Sequence, residues 1–316
     1  MSNWDKKALI SNLKAEYTSL NQLLELMGNE APSEVLVYLR EMANQSFELM
    51  TEVVKSEEGS LPLTVAIVGD FNAGKSSFIN HILRDQICPE NIRPTTSVVT
   101  TFVHGLKEKI TVESSNHEPR EVSRAEYVHL VQEQPADAPL NKNIRFTFSL
   151  PNDALIGLKI LDTPGFNNPK NINDGIVTER VMAESDAFFY LVDVDKGDIP
   201  KTEIKTLKKL KSEAPDSSIL LVVSKADIKY PPALQNIKNT LQAKYGNLFN
   251  AQILSYSTIE ERNDINTRAD IITRLADLRE HDTAKNHASL VRAIKHHYDN
   301  RLTKGAEIEA FLAIQC

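Results

Sequence analysis

The chain has 316 residues, of which 41% are hydrophobic and 25% are charged, and its formal net charge is −7. These proportions exclude a wholly disordered or collagen-like chain, because there is ample apolar surface to bury. The acidic balance disfavours a general polyanion-binding protein, so no nucleic-acid partner is expected.

Cysteine content and apolar runs bear on the cellular compartment. Cys88 and Cys316 are too few for a disulfide framework, which indicates a reducing compartment. The N-terminal residues have no apolar stretch after their charges, so we expect no signal peptide. Apolar runs such as Ile219–Val223 are far shorter than the roughly 18 residues that a membrane-spanning helix needs. We therefore expect a cytoplasmic protein.

Residues 1–60 have the pattern of two amphipathic helices. Apolar residues such as Leu9 and Leu13 recur at helical spacing, and Gly28 supplies a stop signal. Ser33 then caps the second helix. The pattern predicts an N-terminal helical hairpin.

Between residues 61 and 282, short apolar runs rich in β-formers alternate with helical stretches. The predicted strands are Thr64–Val68, Thr100–Val103, Ile110–Val112, Ile144–Phe148, Leu158–Leu161, Ala187–Val192, Ile219–Val223 and Ile253–Tyr256. Nearly continuous apolar runs are typical of strands covered on both faces, so we expect a mixed, mostly parallel sheet sandwiched by helices. Between about 100 and 150 the strands flank a single helix, Ser123–Gln134, and some antiparallel pairing is expected there.

The last segment, residues 283–316, is predicted to be helical again. Leu290 and Ile294 lie on one apolar stripe. His296 and His297 have no partners at metal-ligand spacing, so we expect them on the helix surface. This helix is expected to pack with the N-terminal helices.

The strongest chemical signal begins at Gly69 and fits the phosphate-loop pattern G-x-x-x-x-G-K-[ST]. A predicted strand precedes it and a helix, Ser77–Leu83, follows, as such a loop requires. Backbone N–H groups, the positive helix end and Lys75 would hold the β- and γ-phosphates, and the Ser76 hydroxyl would bind Mg²⁺. The residues expected to contact phosphate are Gly69, Asn72, Ala73, Gly74, Lys75, Ser76 and Ser77.

Two later segments are suited to sense the γ-phosphate. Asp162 directly follows the predicted strand Leu158–Leu161 and opens the run Asp-Thr-Pro-Gly, where its carboxylate would support Mg²⁺ through water and the Gly165 N–H would contact the γ-phosphate. In the run Arg-Pro-Thr-Thr that ends at Thr96, this threonine would complete the Mg²⁺ shell, with Thr95 as the alternate.

A third strand is followed by Ser224-Lys-Ala-Asp. Asp227 can accept hydrogen bonds from N1–H and the 2-amino group of guanine, whereas adenine would meet it with an acceptor. The stem of Lys225 would lie over the purine ring. Ser257 follows the last predicted strand, where it either touches the guanine edge or belongs to an ordinary turn.

These motifs, in this order, resemble the dynamin superfamily of large GTPases, specifically bacterial dynamin-like proteins. The matching runs are GDFNAGKSSFINHIL, PENIRPTTSVVT, LKILDTPGF and LVVSKAD, and the resemblance covers about residues 61–280. The step from Thr96 to Asp162 spans 66 residues, which resembles dynamin-type domains and exceeds the hairpin of a small regulatory GTPase.

The resemblance implies an α/β P-loop GTPase domain with a helical bundle formed by the N- and C-terminal segments. It implies Mg²⁺-dependent hydrolysis of GTP to GDP, a homodimer through the nucleotide face, bundle movement and membrane remodelling, with lipid as a partner at a peripheral membrane location. The residues expected to carry the reaction are Asn72, Lys75, Ser76, Thr96 and Gly165.

The sequence departs from the family pattern at the position of the water-orienting side chain. Phe166 stands where small GTPases have a glutamine, and Phe71 stands where dynamins have one. A backbone carbonyl, Thr96 or a dimer partner would then orient the water.

Asn72 resembles the asparagine of GTPases that bind K⁺ or Na⁺ beside the phosphates, and the alternative is an asparagine that favours a tight backbone.

Other function classes stay open at this point. An Era/TrmE-like switch GTPase acting on the ribosome or RNA shares the asparagine-type loop. An ATPase or small-molecule kinase is disfavoured by Asp227. Because the chain is short for a dynamin relative, we expect a GTPase-domain fragment rather than a minimal family member.

Overall fold

The structure is a computed structural model of the chain. The residues it describes are 6–27, 33–57, 61–70, 72–89, 98–114, 117–132, 144–163, 181, 185–259, 262–281 and 290–299. Several predicted positions lie outside these ranges: Gly28, Phe71, Thr95, Thr96, Gly165, Phe166 and Cys316.

Helices precede, interrupt and follow the strands of the described chain. The longer helices are α1 (Lys6–Met27), α2 (Ser33–Glu57), α3 (Lys75–Leu83), α4 (Arg124–Gln132), α5 (Lys201–Glu213), α6 (Pro231–Leu241), α7 (Arg268–His281) and α8 (290–299), and α6 continues into a π-helical turn, Gln242–Gly246, and a short helix, Asn247–Phe249. The strands are β1 (Leu63–Gly69), β2 (Val99–His104), β3 (Lys109–Ser114), β4 (His117–Glu121), β5 (Arg145–Leu150), β6 (Leu158–Asp162), β7 (Ala187–Asp193), β8 (Ser218–Ser224) and β9 (Gln252–Ser255).

The strands form one sheet in the order β4-β3-β5-β2-β6-β1-β7-β8-β9. Strands β6, β1, β7, β8 and β9 run parallel. β2 pairs antiparallel with β6, and β3 pairs antiparallel with both β4 and β5. This arrangement confirms the predicted mixed, mostly parallel sheet with antiparallel pairing between residues 100 and 150. It also places the carboxyl ends of β1, β6, β7 and β8 side by side, along the edge of the sheet that the strand ends form.

One strand, β4, is absent from the predicted set. Its sequence, His-Glu-Pro-Arg-Glu, has no apolar residue, so hydropathy alone could not reveal it. β4 is the outermost strand of the sheet. Charged side chains and proline are tolerated there because one side of the strand needs no partner.

The central strands bury side chains on both faces. On one face, Ile67 of β1 belongs to a core that includes Phe78 of α3 and Ile271 of α7. On the other face, Val68 belongs to a core that includes Leu207 of α5. Burial on both faces explains the nearly continuous apolar runs and confirms that helices cover the sheet on two sides.

The N- and C-terminal helices share a separate core. Leu13 of α1, Leu49 of α2 and Ile294 of α8 are buried in one cluster. The helices also contact the sheet, because Lys159 of β6 lies 3.3 Å from Glu52 of α2. Among the described helices, none is both long enough and apolar enough to cross a bilayer.

The surface position expected for His297 is wrong. This residue is 2% exposed, and its Nε2 lies 3.3 Å from Glu16 Oε1 and 3.3 Å from Ser46 Oγ. Polar partners on α1 and α2 offset the free-energy cost of burying an imidazole. The local sequence of α8 does not indicate that these partners exist.

Candidate functional site

The phosphate loop is the turn between β1 and α3. Gly69 has φ 148°, Gly74 has φ 85° and Asn72 has φ 62°, so the backbone repeatedly enters the left-handed region. A Cβ on Gly69 would lie 2.6 Å from the carbonyl oxygen of Leu191 on β7. Glycine is therefore required at Gly69 for both backbone conformation and space.

Lys75 lies across the inside of this loop. Its Nζ donates to the carbonyl oxygens of Gly69 at 3.2 Å and Asp70 at 3.0 Å. Ser76 and Ser77 follow in the first turn of α3, whose N–H groups have no acceptor within the helix. The ammonium and these donors together make the loop a concavity that is suited to an anion.

Asp162 ends β6 beside the loop, with its backbone paired to Ile67 of β1. Burial raises the pKa of its carboxyl to about 6, although the nearby Lys75 ammonium, a hydrogen bond with the Cys88 thiol and the Thr163 N–H lower it. Its buried Oδ1 has no hydrogen-bond partner among the described residues. A buried carboxylate oxygen without a partner in the described part of the chain is the type of ligand that a hard divalent cation such as Mg²⁺ prefers.

Two polar residues that the sequence analysis missed position this part of the site. Thr163 is buried, and its Oγ1 donates to the Ile67 carbonyl at 2.9 Å, which joins the end of β6 to β1. Asn80 of α3 accepts from the N–H groups of Ile87 at 3.0 Å and Cys88 at 2.8 Å. The sequence signal for Asn80 is an amide within the apolar run Phe-Ile-Asn-His-Ile-Leu.

The structure brings Asp227 and Ser257 together. The Ser257 hydroxyl donates to Asp227 Oδ1 at 2.6 Å and accepts the Ile259 N–H at 3.0 Å. The two loops also meet through their backbones, because the Ala226 N–H donates to the Tyr256 carbonyl at 3.1 Å. Ser257 thus orients the carboxylate through Oδ1, and Oδ2, which Ser257 does not engage, is an acceptor suited to a ligand.

Lys225 lies beside this pair in a left-handed conformation, with φ 54°. Its Nζ donates to Asp193 Oδ2 at 2.6 Å, so the carboxylate that ends β7 holds the lysine. The buried Ser224 hydroxyl donates to the Val192 carbonyl at 3.3 Å. Asp193 was not among the predicted site residues, although its place at a strand end was a usable signal.

All described members of the predicted site lie along one edge of the sheet. The phosphate loop and Asp162 follow β1 and β6, whereas Asp227 and Ser257 follow β8 and β9. Two strand spacings, about 10 Å, separate β1 from β8. The result is an elongated site, cationic at one end and carboxylate-bearing at the other. Thr96 and Gly165 lie outside the described residues.

The amino-acid sequence is similar to known proteins of one family. The family model of the Dynamin family matches residues 65–226. A bacterial dynamin-like protein of Nostoc punctiforme is 24% identical over 119 residues, which are 34% of this chain and 17% of that protein. The probable transmembrane GTPase FZO-like, chloroplastic, of Arabidopsis thaliana is 24% identical over 224 residues, which are 71% of this chain and 20% of that protein.

Solved structures give the same result for the fold. A chain from an oligomerised bacterial dynamin pair superposes with a TM-score of 0.53 at 17% identity, covering 99% of this chain and 50% of that chain. The structure of that pair is described as providing a mechanism for the long-range sensing and tethering of membranes. The chain therefore spans half or less of the length of these relatives.

Proposed function

The chain belongs to the dynamin family, and from that membership we propose that it binds GTP and hydrolyses it to GDP and phosphate. The observation that carries this proposal is the elongated site itself. Lys75 lies inside an anion-binding loop at one end, and the paired Asp227 and Ser257 lie at the other end of the same sheet edge. A guanine nucleotide carries a polyphosphate at one end and, at the other, a base edge with two hydrogen-bond donors. Its two ends therefore match the two ends of the site.

At the phosphate end, the loop N–H groups and Lys75 would bind the β- and γ-phosphates. Lys75 would exchange its hydrogen bonds to the loop carbonyls for stronger ones to charged phosphate oxygens. Ser76, Thr96 and Asp162 would hold Mg²⁺, and the Gly165 N–H would contact the γ-phosphate. When bound, the ion neutralises charge on the phosphate oxygens.

At the base end, Asp227 would accept the N1–H and 2-amino hydrogens of guanine. The Ser257 hydroxyl holds one carboxylate oxygen, so the carboxylate is oriented before the base arrives. Lys225, held by Asp193, would cover the purine with its apolar stem.

We expect hydrolysis to be stimulated by a monovalent cation near Asn72. The amide oxygen of this exposed loop residue is suited to bind K⁺ or Na⁺, whose charge would act where an arginine finger acts in other GTPases. The left-handed φ of 62° equally suits an asparagine chosen for its backbone. Rates of GTP hydrolysis in K⁺, Na⁺ and a bulky organic cation distinguish the two roles, and equal rates in all three would exclude the cation.

The proposed homodimer through the nucleotide face is supported by exposed apolar side chains beside the base end. Ile228 is 54% exposed, Tyr230 is 69% exposed and Ile259 is 85% exposed. They lie on the two loops that carry Asp227 and Ser257. A second copy placed over the nucleotide would remove this apolar surface from water.

Molar mass by light scattering tests the dimer. We expect a monomer in GDP and a dimer in GDP with aluminium fluoride and K⁺. Ile259→Asp should remain monomeric in both, because a charge would be buried at the interface. Leu106→Asp is the matched control, since Leu106 is 98% exposed in the turn after β2, at the opposite edge of the sheet.

A wild-type monomer in both states would contradict the dimer. Combined with tight GDP binding, it would favour the Era/TrmE-like switch acting on the ribosome or RNA.

We further propose that residues 1–60 and 283–316 form a bundle that moves with the GTPase domain, residues 61–282. The shared core of α1, α2 and α8 and the Lys159–Glu52 contact with β6 support this division. In the intact protein, the bundle movement would serve membrane remodelling, with a lipid surface as partner. Co-sedimentation with liposomes, compared with ribosomes, separates this role from that of an RNA-associated switch.

A further inference from the structure

Arg262 connects the two loops of the base end. Its guanidinium donates to the carbonyl oxygens of Lys229 at 2.7 Å, Ala226 at 3.3 Å and Asp227 at 3.4 Å. The same side chain pairs with the Asp264 carboxylate at 3.2 Å. One side chain therefore holds three carbonyls of the loop that carries the base-recognising aspartate.

The chemistry of this contact is specific to arginine. The carbonyls belong to a single turn of 3₁₀-helix, Ala226–Ile228, and the residue after it. A planar guanidinium has five donors in a fixed fork, so it can serve several carbonyls and a carboxylate at once, whereas a lysine ammonium is a point donor. The Ala226 carbonyl also accepts the Lys229 N–H at 3.3 Å, so loss of Arg262 would leave the carbonyls of Asp227 and Lys229 to water and loosen the turn.

The segment that carries Arg262 is itself held against β9. The Ser255 hydroxyl donates to the Asp264 carbonyl at 2.9 Å, and the Ser255 N–H donates to Asn266 Oδ1 at 3.0 Å. The Asn266 N–H donates back to the Ser255 carbonyl at 2.8 Å. Ser257 follows the same strand, so Arg262 ties the position of Asp227 to that of Ser257.

We infer that Arg262 is a positioning residue for base discrimination, which keeps the Asp227 carboxylate aligned with both donors of the guanine edge. This inference rests on the proposed GTP function. Guanine engages the carboxylate through N1–H and the 2-amino group, whereas hypoxanthine offers N1–H alone. Misalignment of the carboxylate therefore weakens GTP binding more than ITP binding.

The test measures KM and Kd for GTP and ITP with the whole chain. Arg262→Met keeps the apolar stem and removes the donors, and we expect the preference for GTP over ITP to fall about tenfold. Arg262→Lys should retain part of the preference. Arg279→Met is the matched control, because Arg279 donates to one carbonyl, that of Ile156 at 2.8 Å, at the opposite edge of the sheet.

The outcomes separate the inference from the proposed function. A wild-type chain with no preference for GTP over ITP and ATP would overturn the proposed function. A wild-type preference that Arg262→Met leaves unchanged, or an equal loss for GTP and ITP, would overturn the inference alone. If Arg262→Met melts below the assay temperature, Arg262→Lys decides, and a wild-type preference in that variant contradicts the inference.

Discussion

Asp227→Asn is expected to convert the base end from guanine to xanthine recognition. The carboxylate accepts two hydrogens from guanine, whereas an asparagine amide would meet the 2-amino group with its own donors. Xanthine carries a carbonyl at that position, which the amide can satisfy. Mismatched buried donors are costly, so we expect GTP affinity to fall at least about 100-fold and XTP affinity to rise.

The contact with Ser257 should survive this exchange. The hydroxyl, which lies 2.6 Å from Asp227 Oδ1, can donate to or accept from an amide. Titration of GTP and XTP into wild type and Asp227→Asn checks the prediction. Asp195→Asn is the control, because this exposed carboxylate at the same edge pairs with Lys229. A variant that retains GTP affinity and gains none for XTP would show that the base binds elsewhere.

Asp162→Asn is expected to abolish GTP hydrolysis without destabilising the nucleotide-free fold. Burial raises the pKa of this carboxyl from 3.8 to about 6, so the ionised form is disfavoured in the native state. The contribution of Asp162 to stability therefore falls as the pH rises from about 4 to above 6. Since each pKa unit corresponds to about 1.4 kcal/mol, a neutral amide removes a cost of up to about 3 kcal/mol.

Thermal unfolding and hydrolysis assays at pH 7.5 check this prediction. Without nucleotide, we expect Asp162→Asn to melt at or above the wild-type temperature. Wild type should gain stability from Mg²⁺ and GTP, whereas the variant should gain little, because its amide is a weak Mg²⁺ ligand. Asp153→Asn, an exposed carboxylate before β6, should behave as wild type. A variant that melts well below wild type, or hydrolyses GTP normally, would contradict the assigned role.

The phosphate end of the site could be predicted from the sequence because its parts are contiguous. Gly69, Lys75 and Ser76 lie within one strand–loop–helix unit, so the spacing of the motif already specifies their geometry. Asp162 and Asp227 were also predicted from the sequence, since both follow apolar strand runs, and the structure places both at the edge where the parallel strands end. The alternation of strands and helices similarly determined the fold class.

Tertiary structure decided the contacts between residues far apart in the chain. The hydrogen bond between Ser257 and Asp227 depends on β8 and β9 being neighbours, which no local pattern predicts. Arg262 reaches the other base loop for the same reason, and His297 is buried because partners approach from α1 and α2. Local periodicity specifies which elements form, whereas the partners of polar side chains depend on how those elements pack.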